Sequence, residues 1–301
     1  MYQQFFGLTE TPFSITPDTS YFYAHGHYSE ALNTLLVALR TGEGFIKVTG
    51  EVGTGKTLLC RKLLNTVERR FVTAYIPNPM LTPYGLQSAV AEELGLDMSR
   101  HYGHHQLLNM ITSRLLELSA KGKHIVLCID EAQAMPTETM EALRLLTNLE
   151  TEKKKLLQVI LFGQPELDEC LGEARVRQLK QRITFSYNLK PIQKKNLEQY
   201  LRHRLGIAGY KGGQLFDVKS ISSLFKASRG IPRLINILSH KAMMAAYGEG
   251  SKYVDNKAML AAIKDTEDAQ MSSSSSNIGV YAMFSAFAIA LAAFLFFILQ
   301  R

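Results

Sequence analysis

The residues most able to do chemistry are consecutive: Gly50, Glu51, Val52, Gly53, Thr54, Gly55, Lys56 and Thr57 spell GEVGTGKT. A strand-like FIKVT run precedes them at 45–49, and a helical pattern opening with Leu58 follows. GxxxxGK[ST] between a strand and a helix is a P-loop. Glycines at 50, 53 and 55 let the backbone curl until its N–H groups face phosphate oxygens. The helix N-terminus adds positive potential at the same spot. Lys56 reaches the β- and γ-phosphates, the Thr57 hydroxyl ligates Mg²⁺, and Glu51, Val52, Thr54 and Leu58 complete the cradle. About 70 residues on, IVLCI at 125–129 ends in Asp130 and Glu131. Asp130 is expected to hold Mg²⁺, directly or through water, and Glu131 to orient and polarise an attacking water. ATP and Mg²⁺ are therefore the expected ligands.

These groups need a sheet to hold them. Further strand-like runs cover 72–78, 156–163 and 183–189, with helical stretches at 83–94, 106–119, 137–149 and 166–181. Thr82 before Pro83, and Thr137 after Pro136, read as helix starts. Strands alternating with helices predict an α/β core with a parallel five-stranded sheet over 1–190. From Lys194 onward no strand pattern returns. Helices at 197–205, 218–227, 232–247 and 256–263 predict an all-helical lid over 191–268.

Beyond the lid, a Ser-rich linker at 269–277 leads to IGVYAMFSAFAIALAAFLFFIL at 278–299. Those 22 apolar or small residues span about 33 Å as a helix, against roughly 30 Å of bilayer hydrocarbon. A C-terminal transmembrane helix is expected. Lys252, Lys257 and Lys264 precede it and Arg301 follows, which puts the body on the cytoplasmic side.

The 301 residues carry 34 Lys plus Arg against 27 Asp plus Glu, with 46% hydrophobic residues. Such a chain is no disordered tail, and three scattered cysteines make no disulfide scaffold. The start lacks a basic n-region and an apolar h-region, so a signal peptide is not expected. Residues 151–240 hold 17 Lys and Arg against 7 Asp and Glu, so the net charge of +7 is concentrated there. The Lys153–Lys155 part of that surplus has no assigned use. His101, His104 and His105 lack a Cys or carboxylate at ligand spacing and read as a solvated loop. The opening segment, within the 1–190 core, is expected on the adenine side of the nucleotide, where Phe22, Tyr23 and His27 could stack on the base or be ordinary core aromatics.

The chain resembles the AAA+ ATPases, and within them the ExeA (general secretion pathway protein A) family, over nearly all of 1–265. The resemblance is carried by FFGL at 5–8, PF at 12–13, FYAHGH at 22–27, EAL at 30–32, the P-loop, DEAQ at 130–133, GQPEL at 163–167 and GIPR at 230–233. It implies a sensor role for Gln164 beside the attacking water or γ-phosphate, where many AAA+ proteins use Asn or Thr. It also implies that Arg233 reports nucleotide to the lid. An arginine finger is expected from Arg182 first, then Arg177 or Arg175, acting on a neighbour in a homo-oligomeric ring or pair. The implied activity is ATP hydrolysis at the bacterial inner membrane, assisting assembly of a type IV (MSHA-like) pilus or type II-like secretion apparatus, with the proteins of that apparatus as partners. Larger family members continue into a periplasmic peptidoglycan-binding domain; none follows residue 299 here. The alternative is a DNA-handling AAA+ regulator like the transposition ATPases. It draws on the basic 151–240 stretch, but the tail and the lack of a DNA-reading domain after the lid argue against nucleic acid as partner. A nucleotide-dependent scaffold without turnover is disfavoured by intact Lys56, Asp130 and Glu131.

Overall fold

The computed structural model describes residues 2–100, 102–149 and 155–270. The expected span 278–299, the linker beyond residue 270, His101, Lys153 and Lys154 lie outside the described residues. Among the described residues no helix is long and apolar enough to cross a membrane.

In chain order the elements are α1 (Tyr2–Phe6), α2 (His27–Thr41), β1 (Phe45–Thr49), α3 (Lys56–Thr66), β2 (Phe71–Ile76), α4 (Pro83–Glu93) and α5 (His104–Ala120). They continue with β3 (His124–Ile129), α6 (Thr137–Leu146), β4 (Leu157–Gly163), α7 (Glu166–Cys170), α8 (Arg177–Gln181) and β5 (Ile183–Asn188). The lid holds α9 (Lys194–Ile207), α10 (Val218–Ser228), α11 (Pro232–Gly248), α12 (Asn256–Lys264) and α13 (Glu267–Gln270).

All five strands run parallel in the order β2-β3-β4-β1-β5. A parallel sheet is covered on both faces, so its inner strands are mainly apolar, with Lys47 in β1 and Gln158 in β4 among the exceptions. β4 is buried along its whole length, whereas the edge strand β5 alternates between half-buried and exposed residues. The order matters for function because it inserts β4 between β1 and β3. Thr49 pairs with Gly163 and Ile129 with Leu161. Continuing that register by two residues brings Glu131 level with Gly163, beside the start of the P-loop.

Several element ends depart from the sequence reading. Expected strand 72–78 stops at Ile76, before Pro77, which has no N–H to continue the ladder. The helix expected over 166–181 divides into α7, a 3₁₀ turn at Ala174–Val176, and α8. Gly172 marks the division. Helix α4 begins as expected, with Pro83 in its first turn and the Thr82 hydroxyl accepting from Gly85 N–H.

Two apolar clusters cover the sheet. One packs α4, α5 and α6 against one face. The other joins α2 and α3, the opposite face and the lid into a single core, from Ile46 and Leu59 through Ile192 to Leu224 and Leu238. The N-terminal residues Phe6, Leu8 and Phe13 belong to that second cluster, and Phe13 meets Phe216 of the lid edge to face. Core and lid therefore share buried surface across the boundary expected near residue 190.

Candidate nucleotide-binding site

The loop from Gly50 to Gly55 leaves β1 and curls tightly before α3. Gly53 and Gly55 have φ of +79° and +94°, the left-handed region where a Cβ is strained. A Cβ on Gly50 would lie 2.8 Å from the Leu189 carbonyl oxygen. The loop is held from within by the Thr54 hydroxyl on the Glu51 carbonyl (2.8 Å) and from outside by Tyr28 Oη on the Thr54 carbonyl (2.9 Å). Lys56 is only 5% exposed; its Nζ donates to the carbonyls of Gly50 (2.7 Å) and Glu51 (3.0 Å). Burial pushes the Lys56 ammonium below the ordinary lysine range.

Asp130 ends β3 at 2% exposure, and burial raises its carboxyl above the usual range. A hydrogen bond from the Thr57 hydroxyl and the Glu131 N–H, 3.0 Å from Asp130 Oδ1, oppose that rise. A buried carboxylate paired with a hydroxyl is an oxygen donor set suited to Mg²⁺, and the glycine cradle ending at the α3 N-terminus suits phosphate. The residues present thus fit Mg-ATP. Thr57 and Asp130 would hold the metal; Lys56 and the loop N–H groups would hold the phosphates.

Glu131 sits in the left-handed region, at φ 49°, and its carboxylate turns toward the end of β4. There Oε2 accepts from Gln164 Nε2 (3.1 Å) and from Gln133 Nε2 (2.6 Å). Gln133 Oε1 in turn accepts from the Gln164 backbone N–H at 3.0 Å. The three side chains form a closed set between β3 and β4. Gln164 lies where the sequence puts it, with the contact to Glu131 as its visible partner.

The cleft, about 230 Å³, is bounded by the P-loop, by Glu131 and Gln164, and by the lid residues Pro232, Arg233 and Asn236. Arg233 opens the first turn of α11; its N–H donates to the Gly53 carbonyl (3.2 Å), and its exposed side chain faces the cleft. A Cβ on Gly53 would lie 2.8 Å from Arg233 Cβ, so loop and lid meet backbone to backbone.

The remaining wall is N-terminal, as the sequence reading expected, but it is built from residues 14–18 and not from Phe22, Tyr23 and His27. Ser14, Ile15, Thr16, Pro17 and Asp18 cross the cleft as an N-terminal strap, with Ile15 61% exposed. Arg204 of α9, 4% exposed, fastens the strap: Nε donates to the Pro12 carbonyl (2.6 Å) and Nη2 to the Ser14 carbonyl (3.2 Å). Its guanidinium also lies 4.6 Å from the centroid of the Tyr21 ring. Asn236 Nδ2 reaches the same Ser14 carbonyl at 3.4 Å. Phe22 and Tyr23 are buried in the core and do not line the cleft, and the His27 ring contacts Glu30 and Gln193. The core reading therefore holds for both aromatics. His104 and His105 begin α5 instead of lying in a loop, and no metal-holding group of His, Cys, Asp and Glu occurs among the described residues.

Arg182 is half-buried at the start of β5, its Nη1 on the Thr147 hydroxyl (3.1 Å). Ile183 pairs with Phe45, so Arg182 lies at the end of the sheet away from its own P-loop. Arg175 and Arg177 are exposed on the preceding turns.

A parallel sheet whose strand ends gather a glycine cradle, a buried Mg²⁺-type acid and a second carboxylate under a helical lid defines a P-loop nucleotide-binding protein. Residues 39–171 match the AAA domain family. The chain is 45% identical over 263 residues to general secretion pathway protein A of Aeromonas hydrophila, covering 87% of this chain and 48% of that protein. Residues 39–171 thus carry the AAA-domain match, and the chain is similar to general secretion pathway protein A, spanning about half of that relative's length. Among solved structures, Cdc6p from Pyrobaculum aerophilum is similar with a TM-score of 0.64 at 19% identity, over 84% of this chain and 70% of that one. The Aeropyrum pernix ORC1 protein in complex with DNA gives 0.63 at 20%, over 85% and 69%. The Thermotoga maritima RuvB branch migration motor gives 0.54 at 16%, over 80% and 70%. At these identities the likeness is one of fold.

Proposed function

We propose that this protein is an ATPase: it binds Mg-ATP between core and lid and hydrolyses it to ADP and phosphate. The observation that carries the reading is the Glu131 carboxylate, anchored through one oxygen by Gln164 Nε2 at 3.1 Å beside the buried Lys56 and Asp130. Lys56 neutralises the terminal phosphates. Thr57 and Asp130 hold Mg²⁺, which supplies Lewis-acid withdrawal of phosphate charge. Glu131 accepts the proton of the attacking water, and Arg233 carries the phosphate state into α11. Arg182, remote from its own cleft, serves as the finger of a neighbouring copy in a homo-oligomer, with Arg177 or Arg175 as substitutes.

The cellular reading extends this. Segment 278–299 anchors the chain in the bacterial inner membrane with the ATPase body in the cytoplasm. The hydrolytic cycle then assists assembly of a type IV, MSHA-like pilus or a type II-like secretion apparatus. Support comes from the apolar run of 22 residues, from the relationship to general secretion pathway protein A, and from motifs most like those of the MSHA pilus biogenesis protein MshM. Steady-state ATPase assays test the core claim: Lys56→Ala should abolish turnover, Glu131→Gln should reduce it to a slow residual rate measurable in single turnover, and full activity in Lys56→Ala would refute the site. Mixed Lys56→Ala and Arg182→Ala subunits should recover activity if the finger acts between copies. Deleting 278–301 should move the protein from the membrane to the soluble fraction and stop pilus or secretion assembly.

A second reading, a DNA-transaction regulator, draws on the basic surplus of 151–240 and on the fold shared with an ORC1 protein solved with DNA. Salt-sensitive DNA binding that stimulates hydrolysis would favour it.

A further inference from the structure

Gln133 belongs to no role described so far, yet its side chain is bonded at both ends. The left-handed backbone at Glu131 and the 3₁₀ turn Ala132–Ala134 fold the chain back on itself. The Gln133 carboxamide thereby lies between the Glu131 carboxylate and the end of β4. Its two contacts demand opposite polarity: Nε2 donates to Glu131 Oε2 at 2.6 Å, and Oε1 accepts from Gln164 N–H at 3.0 Å. A carboxamide supplies that donor and acceptor together without a change of protonation.

Space is kept for it. A Cβ on Gly163 would lie 2.7 Å from Leu167 Cδ2 and 3.2 Å from Gln133 Oε1, so a side chain at the last residue of β4 would crowd both Leu167 and the amide. With Gln133 and Gln164 both donating to Oε2, the carboxylate loses its freedom to rotate about the Cγ–Cδ bond. Oε1 makes no hydrogen bond to protein among the described residues and keeps its lone pairs for a water proton. A general base must lie within hydrogen-bond reach of the proton it takes, so fixing its orientation lowers the barrier to the transfer.

We propose that Gln133 is a positioning residue for hydrolysis, acting through Glu131: its N–H aims the carboxylate, and its carbonyl ties that aim to the strand carrying Gln164. This rests on the hydrolytic reading of the site. The test uses the full-length chain and three substitutions, Gln133→Glu, Gln133→Met and Glu131→Gln. Gln133→Glu keeps length and acceptor, so the tie to Gln164 N–H survives, but it replaces the donor with a second carboxylate facing Glu131. Gln133→Met removes both contacts at similar volume.

Both Gln133 variants should lower kcat about 10²-fold while KM and the Kd for a fluorescent ADP analogue change less than about twofold. In single-turnover assays, Gln133→Met combined with Glu131→Gln should be no slower than Glu131→Gln alone, because a residue acting through the base has nothing to add once the base is gone. Three results overturn the proposal: near-wild-type kcat in Gln133→Glu, a loss expressed in KM, or a Gln133→Met defect that persists undiminished without Glu131. Wild-type chain that binds Mg-ATP and never turns it over would remove the hydrolytic reading itself; an active wild type with an active Gln133→Glu removes only the positioning role.

Discussion

Replacing Arg204 with methionine should loosen two things together, the fold and the grip on nucleotide. Methionine keeps the apolar stem of the side chain and deletes the guanidinium. Among the described residues Arg204 forms no ion pair with a carboxylate; its hydrogen bonds go to the Pro12 and Ser14 carbonyls and to Tyr200 Oη, 3.3 Å from Nη1. Removing a buried charge relieves desolvation, which works against the loss. In this case a guanidinium with all three nitrogens bonded and resting on Tyr21 has already been largely compensated, so the orphaned acceptors dominate. The Pro12 carbonyl loses its charged donor, at about 1–3 kcal/mol for a buried group left unpaired. Ser14 retains only the longer bond from Asn236 and adds roughly 1 kcal/mol. The expected cost is about 3 kcal/mol, or a Tm lowered by roughly 6–12 °C for a body of this size. Because the freed strap is a wall of the cleft, ADP affinity should fall about tenfold, the equivalent of ~1.4 kcal/mol. Urea denaturation and nucleotide titration of the same preparations measure both. A variant within about 0.5 kcal/mol of wild type would refute the strap argument. So would one that loses stability with unchanged ADP affinity, since the strap would then be structural alone.

Gly53→Ala should cost about 1–3 kcal/mol, through its positive φ and the clash with Arg233, and should weaken nucleotide binding, read by calorimetry. Lys56→Met removes an ammonium that burial disfavours, so the nucleotide-free protein should be at least as stable as wild type in urea while nucleotide binding disappears. Burial holds His203 and His240 below the ordinary histidine pKa, and among the described residues His203 Nε2 has no hydrogen-bond partner. Their neutral forms belong to the folded state, so stability is full above the unfolded pKa near about 6.5 and falls as pH drops below it. His203→Gln with His240→Gln should flatten the stability profile between about pH 7 and pH 5.5; an unchanged slope in urea titrations would contradict this.

The parts of the site readable from sequence are those whose chemistry is local. GEVGTGKT needs eight consecutive residues, and Asp130 and Glu131 follow directly on an apolar strand. Gln164 and Arg233 came from resemblance, and their geometry agrees with a position on the cleft. The opening segment was expected beside the adenine, but the strap's fastening was invisible because its holding contact joins residue 12 to residue 204, and neither carries a periodic or compositional mark. Gln133 stood inside a quoted motif with no role, since a 3₁₀ turn after a left-handed residue has no hydrophobic period to announce it. Phe22 and Tyr23 drew attention as flat rings near the P-loop, but a ring's burial depends on which helices close over it. The helix expected over 166–181 failed at Gly172, where apolar spacing outlasted the helix.

The strap also bears on how the chain matures on the ribosome. Residues 12–18 emerge first, yet the guanidinium and amide that fasten them belong to Arg204 and Asn236, near the end of the body. Closing a loop of about 190 residues carries a steep entropic cost, met only when the lid has been made and packed. Until then Phe6, Leu8 and Phe13 lack their lid partners, and one wall of the cleft cannot form. A fragment ending near residue 190 would carry every catalytic group named here except Arg233 and still expose a sticky N-terminus. The full nucleotide cleft thus forms only after the lid residues Arg204, Arg233 and Asn236 have been made and packed.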